Sequence, residues 1–465
     1  MSESAPKKMK VPHTFVLLFS LIVLAVIGTH VLPAGEYDRV TDEKTGRTVV
    51  AAESYHAIEP SPVGFMDTFI AVQKGMVDAA DVVFFVFIVY ASFFIVLQTG
   101  AIHSFIGWLL RVMEGKEILI IPVFMYLFAL GGSIFGMYEE TFGFIPVFVG
   151  LAVAMGYDAI VGMSMVCFGV AMGFAAAFMN PFTVGLAQKF AELPLFSGML
   201  FRIVSWLVMV TLAVLWTVRY ARKIKADPSK SFMAGVDMGS LNMNRGELME
   251  RHFKGREKVI LAVVVFSVGL LIWGVIIRGW YFDEIAGLFI IMGLACGFLA
   301  GWGPSKVAST FLEGARDIVF GALVIGISRG ILVVMREGHI IDTVIYGLAQ
   351  PLAEWPRWLA AEGMLAVQTL INFFIPSGSG QAATTMPIMA PLSDLLEVPR
   401  QVAVLAYQYG DGFSNILWPT TLLPVMCSIA KVPIDRWWRF FLPFFVILLP
   451  VQAIFIAVAV SIGWH

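Results

Sequence analysis

The sequence predicts an all-α polytopic membrane protein of two structural repeats, each holding a re-entrant helical hairpin and an interrupted helix. Three observations carry this. Of the 465 residues, 59% are hydrophobic and only 14% charged, against about 25% charged in an average soluble domain. Apolar runs of about 20 residues, enough to cross a ~30 Å hydrocarbon core, recur from end to end. Polar stretches broken by glycine and proline interrupt that pattern at corresponding places in the two halves. The net charge of −2 discriminates little.

The first run covers residues 14–33 and follows Lys7, Lys8 and Lys10. Its stretch "FVLLFSLIVLAVIGTHVLPAG" is too long for a signal-peptide core, so it reads as a retained helix. Residues 34–61 are polar, with Tyr and Val flanking a turn-like Asp-Glu-Lys-Thr-Gly, and read as a small extramembranous hairpin. The amphipathic segment 62–81 carries Asp67, Lys74 and Asp78. Further runs lie at 82–101, 118–134 and 197–218, with an interrupted stretch at 159–186. Residues 219–257 hold Arg219, Arg222, Lys223, Lys225, Lys230, Arg245, Arg251, Lys254 and Arg256. In a membrane chain that density marks a cytoplasmic loop, not a nucleic-acid patch. Runs at 258–278, 284–302, 318–336, 359–376 and 438–462 follow, with a second interrupted stretch at 400–430. The expected organisation is therefore 1–81 (first helix, hairpin and amphipathic segment), 82–218 (first transport repeat), 219–257 (basic loop) and 258–465 (second repeat with its scaffold helices). Five runs precede the basic loop, an odd number, so orientation stays open. Cys167, Cys296 and Cys427 sit in apolar segments without ligand spacing and suggest packing, not disulfides. His103 and His339 read as structural, and Trp437 and Trp438 as interface anchors.

The halves can be laid on each other. "DAADVVFFVFIVYASFFIVLQTGAI" matches "GARDIVFGALVIGISRGILVVMREGHI", with Asp81 against Asp317 and Gly100 against Gly338. An apolar helix then runs into a glycine-rich polar segment in each half, followed by a helix broken at proline: "CFGVAMGFAAAFMNPFTVGLAQKFAELP" and "YQYGDGFSNILWPTTLLPVMCSIAKVP". Interrupted segments at matching places point to a secondary transporter with its site near the bilayer midplane. Non-helical backbone cannot face lipid, because each unpaired N–H or C=O costs several kcal/mol there. "PSGSGQAATT" therefore reads as a hairpin tip in which Ser377, Gly378, Ser379, Gly380 and Gln381 bring backbone, hydroxyls and a half-helix end to a ligand. A surface loop between helices is the alternative.

Ionisable residues inside apolar segments are expensive and are site hypotheses by default. Glu139 and Glu140, followed by Thr141, occupy the first tip; Arg329 lies mid-run; Asp411 sits at the second break. Adjacent glutamates point about 100° apart on a helix. One should face the cavity while the other bonds backbone or Arg329, and a purely structural Arg–Glu pair is the rival. Asp411, Ser414, Asn415 and Thr420 surround an unwound turn suited to a dehydrated cation, Na⁺ or a proton serving as coupling ion. Asn180 and Thr183 hold the equivalent break in the first half. Glu139, Glu140 and Asp411 against Arg329 leave two excess negative charges if all are ionised, so something cationic should complete the site. A basic amino acid such as arginine or ornithine would do so; a neutral amino acid or a dicarboxylate would need accompanying Na⁺ or protons. No His-Glu-x-x-His or nucleotide-binding loop occurs, which weighs against an intramembrane enzyme and ATP-driven transport. A channel would be told from a carrier by single-channel currents.

"FFIPSGSGQAATTMPIMAPLSD", "RQVAVLAYQYGDGFSNILWPTT", "FGMYEETFGFIPV" and "GFAAAFMNPFTVGLAQ" resemble the YfcC-like transporters of the anaerobic C4-dicarboxylate carrier (DcuC) group. That group lies in the ion transporter superfamily, which also contains arginine–ornithine antiporters. The resemblance runs from about residue 11 to the C-terminus. It implies a dimeric, elevator-type carrier in the bacterial inner membrane, with a scaffold and a mobile part containing two opposed hairpins. It also implies that the tips at Gly136 to Thr141 and Ser377 to Thr385, with the breaks at Asn180–Pro181 and Asp411–Pro419, form the substrate and ion site. Related sodium–dicarboxylate carriers have Ser-Asn-Thr at both tips. This chain has Tyr-Glu-Glu-Thr and Ser-Gly-Ser-Gly-Gln instead, a departure that argues against a dicarboxylate.

Overall fold

A chain surrounded by hydrocarbon must close its backbone hydrogen bonds internally, and this one does so with helices. The computed structural model describes residues 12–41, 48–51, 54–241, 245–251, 253–420 and 422–465. Among them, eight helices are long and apolar enough to cross a membrane.

Helix α1 (Thr14–Val31) is apolar all round and buries only Leu18, Ile22 and Thr29, as expected where one side meets lipid. The expected hairpin follows as four short strands, β1 (Gly35–Glu36), β2 (Arg39–Thr41), β3 (Thr48–Val50) and β4 (His56–Ala57). β1 pairs antiparallel with β4 and β2 with β3; the turn at 42–47, like Lys7, Lys8 and Lys10, lies outside the described residues. Arg39 ties this element to the second half through Asp342 at 2.9 Å.

The first half continues with α2 (Phe65–Asp78), α3 (Ala80–Gln98), α4 (Ala101–Val112) and α5 (Ile120–Ile134). A 3-10 turn at Glu139–Phe144 leads into α6 (Ile145–Ala154). The broken helix comprises α7 (Ala159–Met163), a π turn at Ser164–Phe168, α8 (Gly169–Ala175), a second π turn at Pro181–Gly185, and α9 (Leu186–Phe190). Helix α10 (Met199–Ala226) runs past its apolar run, so the basic segment begins as helix and then includes α11 (Arg245–Glu250).

The second half holds α12 (Gly255–Trp273), α13 (Phe282–Leu299), α14 (Pro304–Glu337), α15 (Ile341–Ala349), α16 (Arg357–Phe374), α17 (Gly378–Leu395), α18 (Arg400–Ser414), α19 (Leu423–Ile429) and α20 (Ile434–Ser461). Helix α14 is the centre of the bundle and packs on α1, α2, α3 and α19. In lipid there is no hydrophobic drive between helices, so close approach of small residues does that work. A Cβ on Gly75 of α2 would lie 2.5 Å from the Gly330 nitrogen of α14, and one on Gly326 would lie 1.8 Å from Met76 Sδ. This close seam brings Asp78, the last residue of α2, beside Arg329.

Two expectations are corrected here. The run at 359–376 is not one of the eight spanning helices: Gln368 and Asn372, both fully buried, give α16 a polar edge turned into the protein. Trp437 is not an interface anchor. Trp437 is wholly buried, and the two indoles donate to the Ile416 and Leu417 carbonyls, each at 2.9 Å. They supply partners to backbone that the second break leaves outside a helix. The three cysteines are buried and unpaired, in keeping with a packing role.

Candidate functional site

The first tip is a turn closed by its own side chains. Helix α5 ends where Gly136 adopts φ +73°, a left-handed conformation that disfavours any other residue. Glu140 Oε2 then accepts from the Tyr138 nitrogen at 2.9 Å, and Thr141 Oγ1 donates to the Tyr138 carbonyl at 2.6 Å. Glu140 is thus the glutamate that bonds backbone. The turn rests on α3, where the Phe93 and Phe144 rings meet at 4.6 Å.

The second tip begins a helix. Pro376 ends α16, and Ser377 caps α17 by accepting from the Gly380 nitrogen at 3.3 Å. Neither Gly378 nor Gly380 needs a left-handed backbone; the two differ in their surroundings. A Cβ on Gly378 would lie 2.9 Å from Thr183 Cγ2 and 3.1 Å from Asp411 Oδ2, while one on Gly380 meets only its own turn, at 3.2 Å from Ser377 Oγ. Tyr407 donates to the Gly378 carbonyl at 2.7 Å.

The breaks differ in the same way. Asn180 Oδ1 accepts from the nitrogens of Phe182 (2.9 Å) and Thr183 (3.3 Å) and so caps the restarted helix. At the second break Asn372 Nδ2 reaches the Asp411 carbonyl (2.9 Å), Ser414 Oγ (2.6 Å) and Asn415 Oδ1 (3.1 Å). Thr420 donates to the Phe373 carbonyl at 2.8 Å.

Between the tips lies a cavity of about 290 Å³. Of the residues expected from the sequence, Glu139, Glu140, Thr183, Arg329, Ser377, Gly378, Ser379, Asn415 and Thr420 line it. Thr141, Asn180 and Gln381 do not: each is fully buried and spends hydrogen bonds on the local fold. Gly380 and Ser414 also lie off its wall. Asp411 stands just behind Gly378, 1% exposed, with neither carboxylate oxygen hydrogen-bonded. The wall also holds Tyr138 of the first tip, and Asp78, Asp81, Phe182 and Tyr281, which the motif argument passed over. Asp78 carried a readable signal, a charge in a segment otherwise fit for packing.

Of the two partners open to the second glutamate, backbone or Arg329, Glu140 takes the backbone, and the rival Arg–Glu pair does not form. Arg329 Nε donates to Asp78 Oδ2, and Arg336 Nη1 reaches Asp78 Oδ1 at 3.2 Å; among the described residues no ion pair joins either tip glutamate. The glycine-lined α2–α14 seam sets Asp78, the last residue of α2, beside Arg329.

Residues 11–461 match the family described as C4-dicarboxylate anaerobic carriers. The chain belongs to this family. It is 32% identical over 504 aligned residues to YfcC of Escherichia coli (strain K12), covering 100% of this chain and 99% of that one. The name of that relative provisionally makes it a basic amino acid antiporter. An uncharacterized protein of Haemophilus influenzae is 29% identical over 98% of this chain and 99% of its own length. Among solved structures, the Alcanivorax borkumensis YdaH transporter aligns over 97% of this chain and 99% of its own, with 16% identity and a TM-score of 0.48. Neisseria gonorrhoeae MtrF aligns over 97% and 96%, with 17% identity and a TM-score of 0.46. As a member of the carrier family with eight apolar helices, the protein is a multi-pass membrane transporter.

Proposed function

We propose that this carrier is a secondary active transporter for an amino acid, with basic amino acids such as arginine and ornithine favoured, in the bacterial inner membrane. One observation carries the choice. Arg329 is paired with Asp78 and with neither tip glutamate, so Glu139 and Glu140 face the cavity without an ion-pair partner among the described residues. A substrate cation beside Glu139 would offset that charge, and its carboxylate would lie toward Arg329 or the N-terminus of α17. The provisional name of the Escherichia coli relative agrees.

The family description favours a second reading, a C4-dicarboxylate carried with Na⁺ or protons. Asp411, with Asn415 beside it, is the coupling-ion position in either case. The element order supports a duplication in which α3, α5–α6, α7–α9 and α10 correspond to α14, α16–α17, α18–α19 and α20. Two tips meeting across one cavity fit an elevator-type carrier, and the resemblance of the sequence favours a homodimer. The readings part in proteoliposomes without a cation gradient. Internal ornithine should drive uptake of labelled arginine, whereas succinate competing better than arginine would put the dicarboxylate in its place.

A further inference from the structure

Arg329 and Arg336 are seven residues apart on α14, two turns along one face and about 10 Å along the axis. Asp78 stands between them and gives one carboxylate oxygen to each, Oδ2 to Arg329 and Oδ1 to Arg336 at 3.2 Å. It also forms part of the wall of two cavities. One is the cavity between the tips, where Arg329 lies; the other, about 370 Å³, is lined by Arg336 with Lys74 and Glu337. Side-chain exposure falls along the row, from 51% at Arg336 through 31% at Asp78 to 22% at Arg329. Lys74 and Glu337 pair with each other across the same seam and leave the row its own charges.

A carboxylate shared by two guanidiniums behaves differently from an ordinary buried pair. Losing the sole partner would strand a charge at the full desolvation cost. Here, a second carboxylate that takes one arginine leaves Asp78 held by the other. We propose that Arg336, Asp78 and Arg329 form an exchange relay for the carboxylate of the substrate. Arg336 receives it in the second cavity while Asp78 stays on Arg329; Asp78 then moves onto Arg336 as the carboxylate passes to Arg329. The relay rests on the reading of the tip cavity as the substrate site, and it assigns Asp78 and Arg336 parts in selecting a carboxylate-bearing ligand.

The arginine-specific reagent phenylglyoxal tests it, with modification of each arginine in the reconstituted protein followed by mass spectrometry. Arg336 should react faster than Arg329, and Asp78→Asn should raise the Arg329 rate about tenfold, the scale of losing one charge-assisted hydrogen bond. Asp78→Glu should keep the wild-type pattern. Ornithine should protect Arg329 in the wild-type protein, and putrescine, the same chain without a carboxylate, should not. Arg336→Gln should raise the KM for ornithine uptake about fivefold with little change in maximal rate, as expected for an entry charge. Protection by succinate but not ornithine keeps the relay and overturns the amino-acid reading. The relay itself is overturned if neither carboxylate protects Arg329, if putrescine protects as well as ornithine, or if Asp78→Asn folds and leaves Arg329 labelling unchanged. Should Asp78→Asn fail to fold, the protection pattern of the wild-type protein decides.

Discussion

The two tips that enclose the cavity solve one problem with opposite means. The first presents charge, Glu139 and Glu140, on a 3-10 turn that Thr141 and Glu140 hold shut. The second presents almost no side chain: Ser377, Gly378 and Ser379 open a helix whose N–H groups point toward the cavity end. On the proposed reading, one wall discriminates by charge and the other by closeness of approach. That division is what a site needs if one end of the substrate is cationic and the other a carboxylate. Substitutions at the first tip should therefore change which substrate is carried, and those at the second whether anything is carried.

The largest effect belongs to the second tip. Gly378→Val should abolish uptake in proteoliposomes while the protein stays monodisperse, because its Cβ would lie 2.9 Å from Thr183 and 3.1 Å from Asp411 before the two methyls are added. Uptake at the wild-type rate would remove this tip from the site. Glu139→Gln should follow, lowering arginine uptake about tenfold through loss of one charge-assisted contact. Glu140→Gln should cost only about threefold, since its amide oxygen can still accept from the Tyr138 nitrogen. Equal losses at both would mean that the glutamates share one role.

Asp411→Asn tests whether the group behind the second tip serves coupling. It should weaken the response of uptake to Na⁺ and pH gradients more than it changes substrate KM, and raise the unfolding temperature, because a buried carboxylate without hydrogen bonds gives way to a neutral isostere. An unfolding temperature that falls would show that the charge has a partner in the resting protein. The smallest effect is expected at Gly380→Ala, under about threefold on uptake, since the nearest neighbour of the added Cβ is Ser377 Oγ at 3.2 Å, which a shift of a few tenths of an ångström relieves with the helix cap kept. A loss as complete as that of Gly378→Val would extend the close wall along the whole first turn of α17.

Much of this protein was legible in the chain itself. Uniform apolar runs dictate spanning helices, because backbone polar groups in hydrocarbon have no other way to pair. Polar breaks that recur at matching places mark the tips for the same reason. The glutamates at 139 and 140, the serines at 377 and 379 and the arginine at 329 were found in this way, and all line the cavity. What the sequence left undecided was partnership. Nothing local told that Gln381 would turn to Gln368, or that Trp437 and Trp438 would bond the carbonyls of the second break. The pairing of Arg329 with Asp78 joins residues 251 positions apart. It exists because Gly75, Gly326 and Gly330 let α2 and α14 touch. Pattern along a chain reports which groups must leave lipid, since that cost is paid residue by residue; which group meets them depends on how helices pack, and only the tertiary structure decides it.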